Sequence, residues 1–300
     1  AELRPQGLGS GVIMNQRGHV LTNYHVIADA DQIIVALQDG RVFSAELVGT
    51  DKLTDLAVLY IESDNLPVIP QDPDRLPDVG DVVLAIGNPY NVGQTITQGI
   101  ISATGRIGLS SMGPDSNGRQ DLLQTDAAIN EGNSGGALVN GRGDLVGINT
   151  AAYHLNGNQE SYGISFAIPY KLAKRIMDEL IANGRVIRGY LGISSVEINP
   201  IVARMLNLGD LQGLVVESLD PNGPATKAGL KRGDVLLKIN GEAITGVRPV
   251  MDKIVESRPG TKLTISVIRN GKPLDVDVII EEDLRYQNQT LPTSSAAPAT

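Results

Sequence analysis

From Gly9 to Ile168 the chain runs in short apolar stretches, among them GSGVIM, HVLTN, QIIVALQ, VFSAELVG, LAVLYI, DVVLAIG, TITQGIISA, ALVN and DLVGINT. Between them stand Asn15 to Gly18, Asp39-Gly40, Gly87-Asn88-Pro89 and Asn140 to Gly143, which supply the positive or fixed φ that tight turns need. Consecutive strands with no helices between them predict antiparallel barrels or a sandwich, not a parallel α/β sheet. At Tyr170 the period changes. Leu172, Ile176, Leu180 and Ile181 recur at helical spacing and Gly184 is placed to stop them, which predicts a helix over about 170–183. Beyond Arg188 come strand-like runs at YLGISSVEI, GLVVESL, DVLLKIN, TKLTISVIRN and PLDVDVII, with helical windows near Pro224 to Ala228 and Val247 to Ser257. That pattern predicts a small α+β module. The expected organisation is therefore a mostly β domain over 1–187, the module over 188–283, and a tail over 284–300 too poor in apolar residues to order.

Bulk properties narrow the chemistry. A length of 300 residues suits two cores, since single ones fall near about 100 to 200 residues. The formal charge of −9, from 25 basic against 34 acidic side chains, argues against a nucleic-acid partner. With no cysteine, disulfides, thiolate nucleophiles and thiolate-bound zinc are excluded together. Three histidines, His19, His25 and His154, make a His-rich metal site implausible, and no metal or cofactor is expected. No stretch approaches the length of a membrane span and no signal-like region opens the chain, so membrane attachment is expected only through an anchor absent from it.

One serine lies among three glycines in Asn130-Glu131-Gly132-Asn133-Ser134-Gly135-Gly136, just before a new apolar run. A nucleophilic hydroxyl must project while nearby N–H groups, here those of Gly132 and Ser134, converge on a developing oxyanion; each such donor is worth about 2.7 to 4 kcal/mol in the transition state. Alone, the segment reads equally as a turn. In TNYHVI, His25 closes an apolar strand where an imidazole could accept the serine proton, and in TDLAVLYI, Asp55 opens an apolar strand where a carboxylate could hold that imidazole's tautomer. The chain order His, Asp, Ser is one of those known for this triad. His19 and His154 lack such context and are expected to be non-catalytic.

TNYHVI, TDLAVLYI and GNSGGALVN resemble the catalytic motifs of the HtrA family of chymotrypsin-fold serine proteases, and the resemblance runs on through DVVLAIGNPY, TQGIISATGR, LQTDAAIN, SFAIP and VIRGYLGI. It implies a chymotrypsin-like double β-barrel followed by a PDZ domain. It also implies His25 as general base and acid, Asp55 as its orienter, Ser134 as nucleophile, and Gly132 and Ser134 as oxyanion donors with Asn133 beside them. The primary specificity pocket is expected around Ala127, Ala128 and Ile129, where no Asp offers a counter-charge for Arg or Lys, so small aliphatic side chains should precede the scissile bond. Glycines around a bulky pair in Gly189-Tyr190-Leu191-Gly192-Ile193 suit a nest for a C-terminal carboxylate, and Met251, Ile254 and Val255 fall on the helix expected across that groove.

A single PDZ-sized unit and a short Met14 to His19 connection are most similar to the membrane-anchored, trimeric, periplasmic type within the family. That type cleaves an anti-sigma factor after its PDZ domain senses C-termini of misfolded outer-membrane proteins. The resemblance makes Arg106 the activating-loop arginine, with Tyr90 and Gln124 its neighbours. Glu131 departs from the pattern, and a carboxylate there would favour an inactive loop. Two other readings stay open: a general quality-control protease or chaperone, and a PDZ scaffold with an inactive protease domain.

Overall fold

The computed structural model describes residues 9–88, 93–106, 121–130, 132–150, 163–198, 203–204 and 212–286. Tyr90, Glu131, His154 and the tail from residue 287 lie outside the described residues. Contacts divide the chain into two compact units between Val186 and Ile187.

The first unit opens with β1 (Val12–Ile13), β2 (His19–Asn23), a single helical turn α1 (Tyr24–Ile27), β3 (Ile33–Ala36), β4 (Val42–Asp51) and β5 (Leu56–Tyr60). These strands form an antiparallel sheet in the order β1-β2-β5-β4-β3. There follow β6 (Val82–Gly87), β7 (Thr95–Arg106), β8 (Leu122–Thr125), β9 (Ala137–Asn140), β10 (Leu145–Thr150) and β11 (Ser165–Pro169), which close into a barrel in the order β10-β11-β8-β7-β6-β9. The continuous apolar run of β5 has a physical cause. Leu56 and Val58 enter one core cluster with Leu21 of β2, while Leu59 faces a second cluster with Val20, so the central strands of the sheet are buried on both faces. A third cluster, including Val83, Ala85, Ile101, Leu123 and Leu138, fills the barrel.

Helix α2 (Tyr170–Asn183) packs onto the first of these clusters through Tyr170, Ala173, Ile176, Met177 and Leu180. Its buried face is rotated from the expected one, leaving Leu172 and Ile181 only partly buried. Gly184, at φ 70°, ends the helix and donates its N–H to Leu180 O, the left-handed cap that glycine alone adopts without a Cβ penalty. A further correction concerns His25. It lies on α1, not at a strand end, because Tyr24 N donates to Asp55 O and turns the chain out of β2.

The second unit contains β12 (Gly189–Tyr190), β13 (Ile193–Glu197), β14 (Leu214–Leu219), α3 (Pro224–Lys227), β15 (Val235–Ile239), β16 (Glu242–Ala243), α4 (Val247–Glu256), β17 (Lys262–Arg269), β18 (Lys272–Ile279) and β19 (Glu281–Glu282). Its main sheet runs β13-β14-β15-β17-β18, so β13 is an edge strand. Asn270-Gly271 joins β17 to β18 with φ of 49° and 75°, the two positive values a type I′ hairpin requires. Order continues beyond the expected boundary at residue 284. A 3₁₀ turn at Leu284–Tyr286 is held because Arg285 pairs bidentately with Asp283, at 2.8 and 2.6 Å, and lies 4.6 Å over the Tyr190 ring.

Candidate active site

Asp55 sits in the turn before β5 with φ 57°, a left-handed conformation uncommon for any residue with a Cβ. The turn is stapled from within, since Asp51 Oδ2 accepts both the N–H and the hydroxyl of Thr54. Register then sets the partner. Asn23 pairs with Leu56 across β2 and β5, so the residues just outside this pair, Tyr24-His25 and Asp55, face each other. His25 donates its backbone N–H to Asp55 Oδ1 at 3.0 Å, and its Nδ1 lies 2.7 Å from Asp55 Oδ2. Thr150, at the end of β10, donates its hydroxyl to the same Oδ2 at 3.3 Å, and Asn23 Nδ2 donates to the Asp55 carbonyl at 2.9 Å. The Asp55 side chain is 8% exposed.

Burial, the largest single influence on His25, pulls its pKa down. The hydrogen bond to Asp55 and the charge of that carboxylate together outweigh it and raise the pKa above 6.5. His19 behaves in the opposite way. Burial and Arg17 lower its pKa, and its Nδ1 lies within hydrogen-bonding distance of the Asn15 side chain in the β1–β2 turn.

Ser134 lies in the loop ahead of β9, and the loop's glycines are there for close approach. A Cβ on Gly135 would fall 2.2 Å from Ser10 O and 2.3 Å from Thr22 Oγ1; one on Gly136 would fall 2.1 Å from Ile86 O. Only glycine lets the loop press this closely between β6 and the start of the first sheet. The backbone hydrogen bonds are selective. Asn133 N donates to Asn130 O, Gly135 N to Asn149 O, and Gly136 N to Asn133 O. The N–H groups of Gly132 and Ser134 have no acceptor among the described residues. Two donors without an acceptor among the described residues thus lie at and just before a serine that is 4% exposed.

The structure brings His25 and Asp55 into direct contact and anchors the Ser134 loop against Thr22 and Asn23, the residues that lead into His25. Among the described residues no hydrogen bond joins Ser134 Oγ to His25. Asn133 is buried and donates through Nδ2 to Ala128 O at 3.4 Å. Ala127 and Ile129 are buried, while Ala128 is exposed. Beside them, Asp126 Oδ1 accepts the Ile100 N–H at 2.7 Å, which commits that carboxylate to the barrel wall. Arg106 donates from Nε to Gln124 Oε1 at 3.0 Å, across the β7–β8 pair.

In the second unit Leu191 and Ile254 lie in the core, and Ile193 and Met251 pack against it half-buried; Val255 is half-buried too. Gly192 has φ 78°. The carbonyls of Leu191 and Gly192 are taken by the N–H groups of Ala225 and Asp220, while the N–H groups of Leu191 and Gly192 find no acceptor among the described residues. Tyr190 donates its hydroxyl to Asp220 at 2.9 Å. Among the described residues no three His, Asp or Glu side chains converge as a metal site would require.

The site includes three residues that sequence reasoning passed over: Asn23, Thr150 and Ser10. Asn23 and Thr150 had a faint signal, each being a polar residue closing an apolar strand. Ser10 had only its setting between two glycines.

Comparison with known proteins shows the family. Residues 9–148 match the trypsin-like peptidase domain family and residues 189–280 match the PDZ domain family. Serine endoprotease DegS of Escherichia coli strain K12 is 55% identical over 283 residues, a match covering 94% of this chain and 78% of that protein. The periplasmic pH-dependent serine endoprotease DegQ of the same strain is 43% identical, over 92% of this chain and 60% of its own length. Among solved structures, the HtrA-type protease AlgW with tripeptide superimposes with a TM-score of 0.83 at 48% identity, covering 92% of this chain and 90% of that one.

Proposed function

This chain is a serine endopeptidase of the HtrA family, and from that premise we propose that His25, Asp55 and Ser134 form its catalytic triad and that peptide capture by its PDZ domain switches the triad on. The observation that carries the proposal is the pairing of a carboxylate-held imidazole with a glycine-rich serine loop that leaves two N–H groups without an acceptor among the described residues. In this reading Ser134 Oγ attacks the scissile carbonyl carbon as His25 Nε2 takes its proton. Asp55 accepts from Nδ1–H, which keeps Nε2 free as the base and stabilises the imidazolium that forms. The N–H groups of Gly132 and Ser134, with Asn133 between them, hold the oxyanion. His25 then protonates the leaving amine, and water repeats the sequence on the acyl-enzyme. The serine and imidazole close their hydrogen bond when substrate is bound, as such bonds commonly do.

Ala127, Ala128 and Ile129 would line a neutral pocket for small aliphatic side chains. Discrimination among these would be modest, about 1 to 3 kcal/mol per methylene. In the second unit the nest at Tyr190, Leu191, Gly192 and Ile193 would receive a terminal carboxylate, and the peptide would add along the open edge of β13 with Met251, Ile254 and Val255 across from it. Resemblance to the single-PDZ type points to C-termini of misfolded outer-membrane proteins as the activating peptides. It also points to an anti-sigma factor as the substrate, a homotrimer as the assembly and the periplasm as the setting. The Arg106 to Gln124 hydrogen bond supports a role for those residues, with Tyr90, in the activated loop arrangement.

The test is cleavage of an anti-sigma periplasmic fragment and of casein, with and without a peptide ending in an apolar residue. Cleavage of the fragment that rises strongly with peptide, with little casein turnover, is the expected result. High casein turnover without peptide would instead establish a general quality-control protease. A fluorophosphonate probe that leaves Ser134 unlabelled even with peptide present would leave only a scaffold.

A further inference from the structure

We propose that Ser10 is a positioning residue that holds the oxyanion loop in register. It grips the loop at two points: Ser10 Oγ donates to Gly132 O at 2.6 Å, and Ser10 N donates to Ser134 O at 2.9 Å. These are the two loop residues whose own N–H groups have no acceptor among the described residues. The hydroxyl has one proton to give, and its direction is set from the other side, because Asn88 N donates into Ser10 Oγ at 2.9 Å. The Ser10 carbonyl in turn accepts from Thr22 Oγ1 at 2.7 Å, three residues before His25. One residue thus links the end of β6 and the serine loop through its hydroxyl, and the strand leading to His25 through its backbone carbonyl.

The link matters because of what Gly132 lacks. With φ at 95° and no Cβ, Gly132 has little intrinsic preference for one peptide orientation. Among the described residues its orientation depends on two bonds made around the next peptide, Asn133 N to Asn130 O and Ser10 Oγ to Gly132 O. Removing the hydroxyl frees the Gly132 carbonyl and strands the Asn88 N–H. The Gly132 N–H is then no longer aimed where the oxyanion forms. Oxyanion donors act through preorganisation, so a loss of aim appears in the transition state and not in ground-state binding.

The inference rests on the proposed role of Ser134 and its loop, and the experiment separates the two. Ser10→Ala and Ser10→Thr are compared with the unaltered chain at saturating C-terminal peptide. The measurements are kcat, KM, melting temperature, and affinity for a substrate-like peptide boronic acid and for the matching product peptide. Ser10→Ala should lower kcat by about tenfold or more with KM within about twofold, and weaken the boronate by the same factor while product affinity holds. Ser10→Thr, which keeps the hydroxyl, should recover most of the lost kcat. A folded Ser10→Ala variant with kcat within about twofold of the unaltered chain would overturn the proposal, as would a kcat loss with no weakening of the boronate. If the unaltered chain neither cleaves nor binds boronate, the Ser134 assignment fails first.

Discussion

Asp55 combines two unfavourable features, a left-handed backbone and a buried carboxylate, and each is offset by named neighbours. A non-glycine residue held there costs about 1 to 3 kcal/mol, and it persists only where its surroundings over-determine it. Here Tyr24 N and Asn23 Nδ2 hold its carbonyl, while His25 and Thr150 hold its carboxylate. The consequence is measurable through His25. A base must be neutral to act, so kcat/KM should rise with pH through a midpoint above 6.5, the direction in which Asp55 moves His25. In Asp55→Asn both raising influences vanish and burial remains, so the acid limb should move to lower pH while kcat falls by about 10⁴-fold. A pH–rate profile of both proteins checks this; an unaltered enzyme with its limb below 6.5 would contradict the assignment. Stability runs the other way. A folded-state pKa raised above the unfolded one favours the folded chain fully below about 6.5, and that contribution is lost as pH rises through the folded value.

At the level of elements, the serine loop and helix α2 respond to substitution for different reasons. Gly135 has φ 82° and no room for a Cβ, with Ser10 O at 2.2 Å. Gly135→Ala should therefore displace the loop and lower activity by more than Ser10→Ala does, as single-turnover labelling of Ser134 would reveal. Leu180 on α2 is fully buried in the cluster shared by the sheet and the barrel. Leu180→Ala should destabilise the first unit by about 2 to 5 kcal/mol, read as a lower melting temperature. Close to the serine, Asn23, Asn133 and Asn149 each have a buried side-chain oxygen with no hydrogen-bond partner among the described residues. Asn149 nonetheless donates through Nδ2 to Ile86 O and Ala137 O, fastening β10 to both sides of the loop.

For the whole molecule, the decisive feature is that each unit has its own core. Leu214, Leu236, Ile265 and Val278 belong to a cluster of the second unit that shares no residue with the three clusters of the first. Chemistry and capture should then be separable by substitution. Ser134→Ala should abolish cleavage and leave the affinity for a C-terminal apolar peptide unchanged, measured by calorimetry or fluorescence anisotropy. Loss of both would place the peptide groove elsewhere.

Local preference made much of this legible along the chain. Helix α2, its glycine stop and most strands of both units follow from periodicity and turn chemistry, which act over a few residues and need no distant partner. The strands β8 and β11 were less distinct as apolar runs, because their burial comes from closing the barrel. The motifs around His25, Asp55 and Ser134 also stood out along the chain, since the chemistry proposed for them dictates residue type. What the chain could not express locally is which polar groups meet. The α1 turn under His25, the hold of Thr150 on Asp55 and the grip of Ser10 on Gly132 each join residues 30 to 122 positions apart. Hydrogen bonds act over about 3 Å, and only the packing of sheet, barrel and helix brings such atoms within that distance.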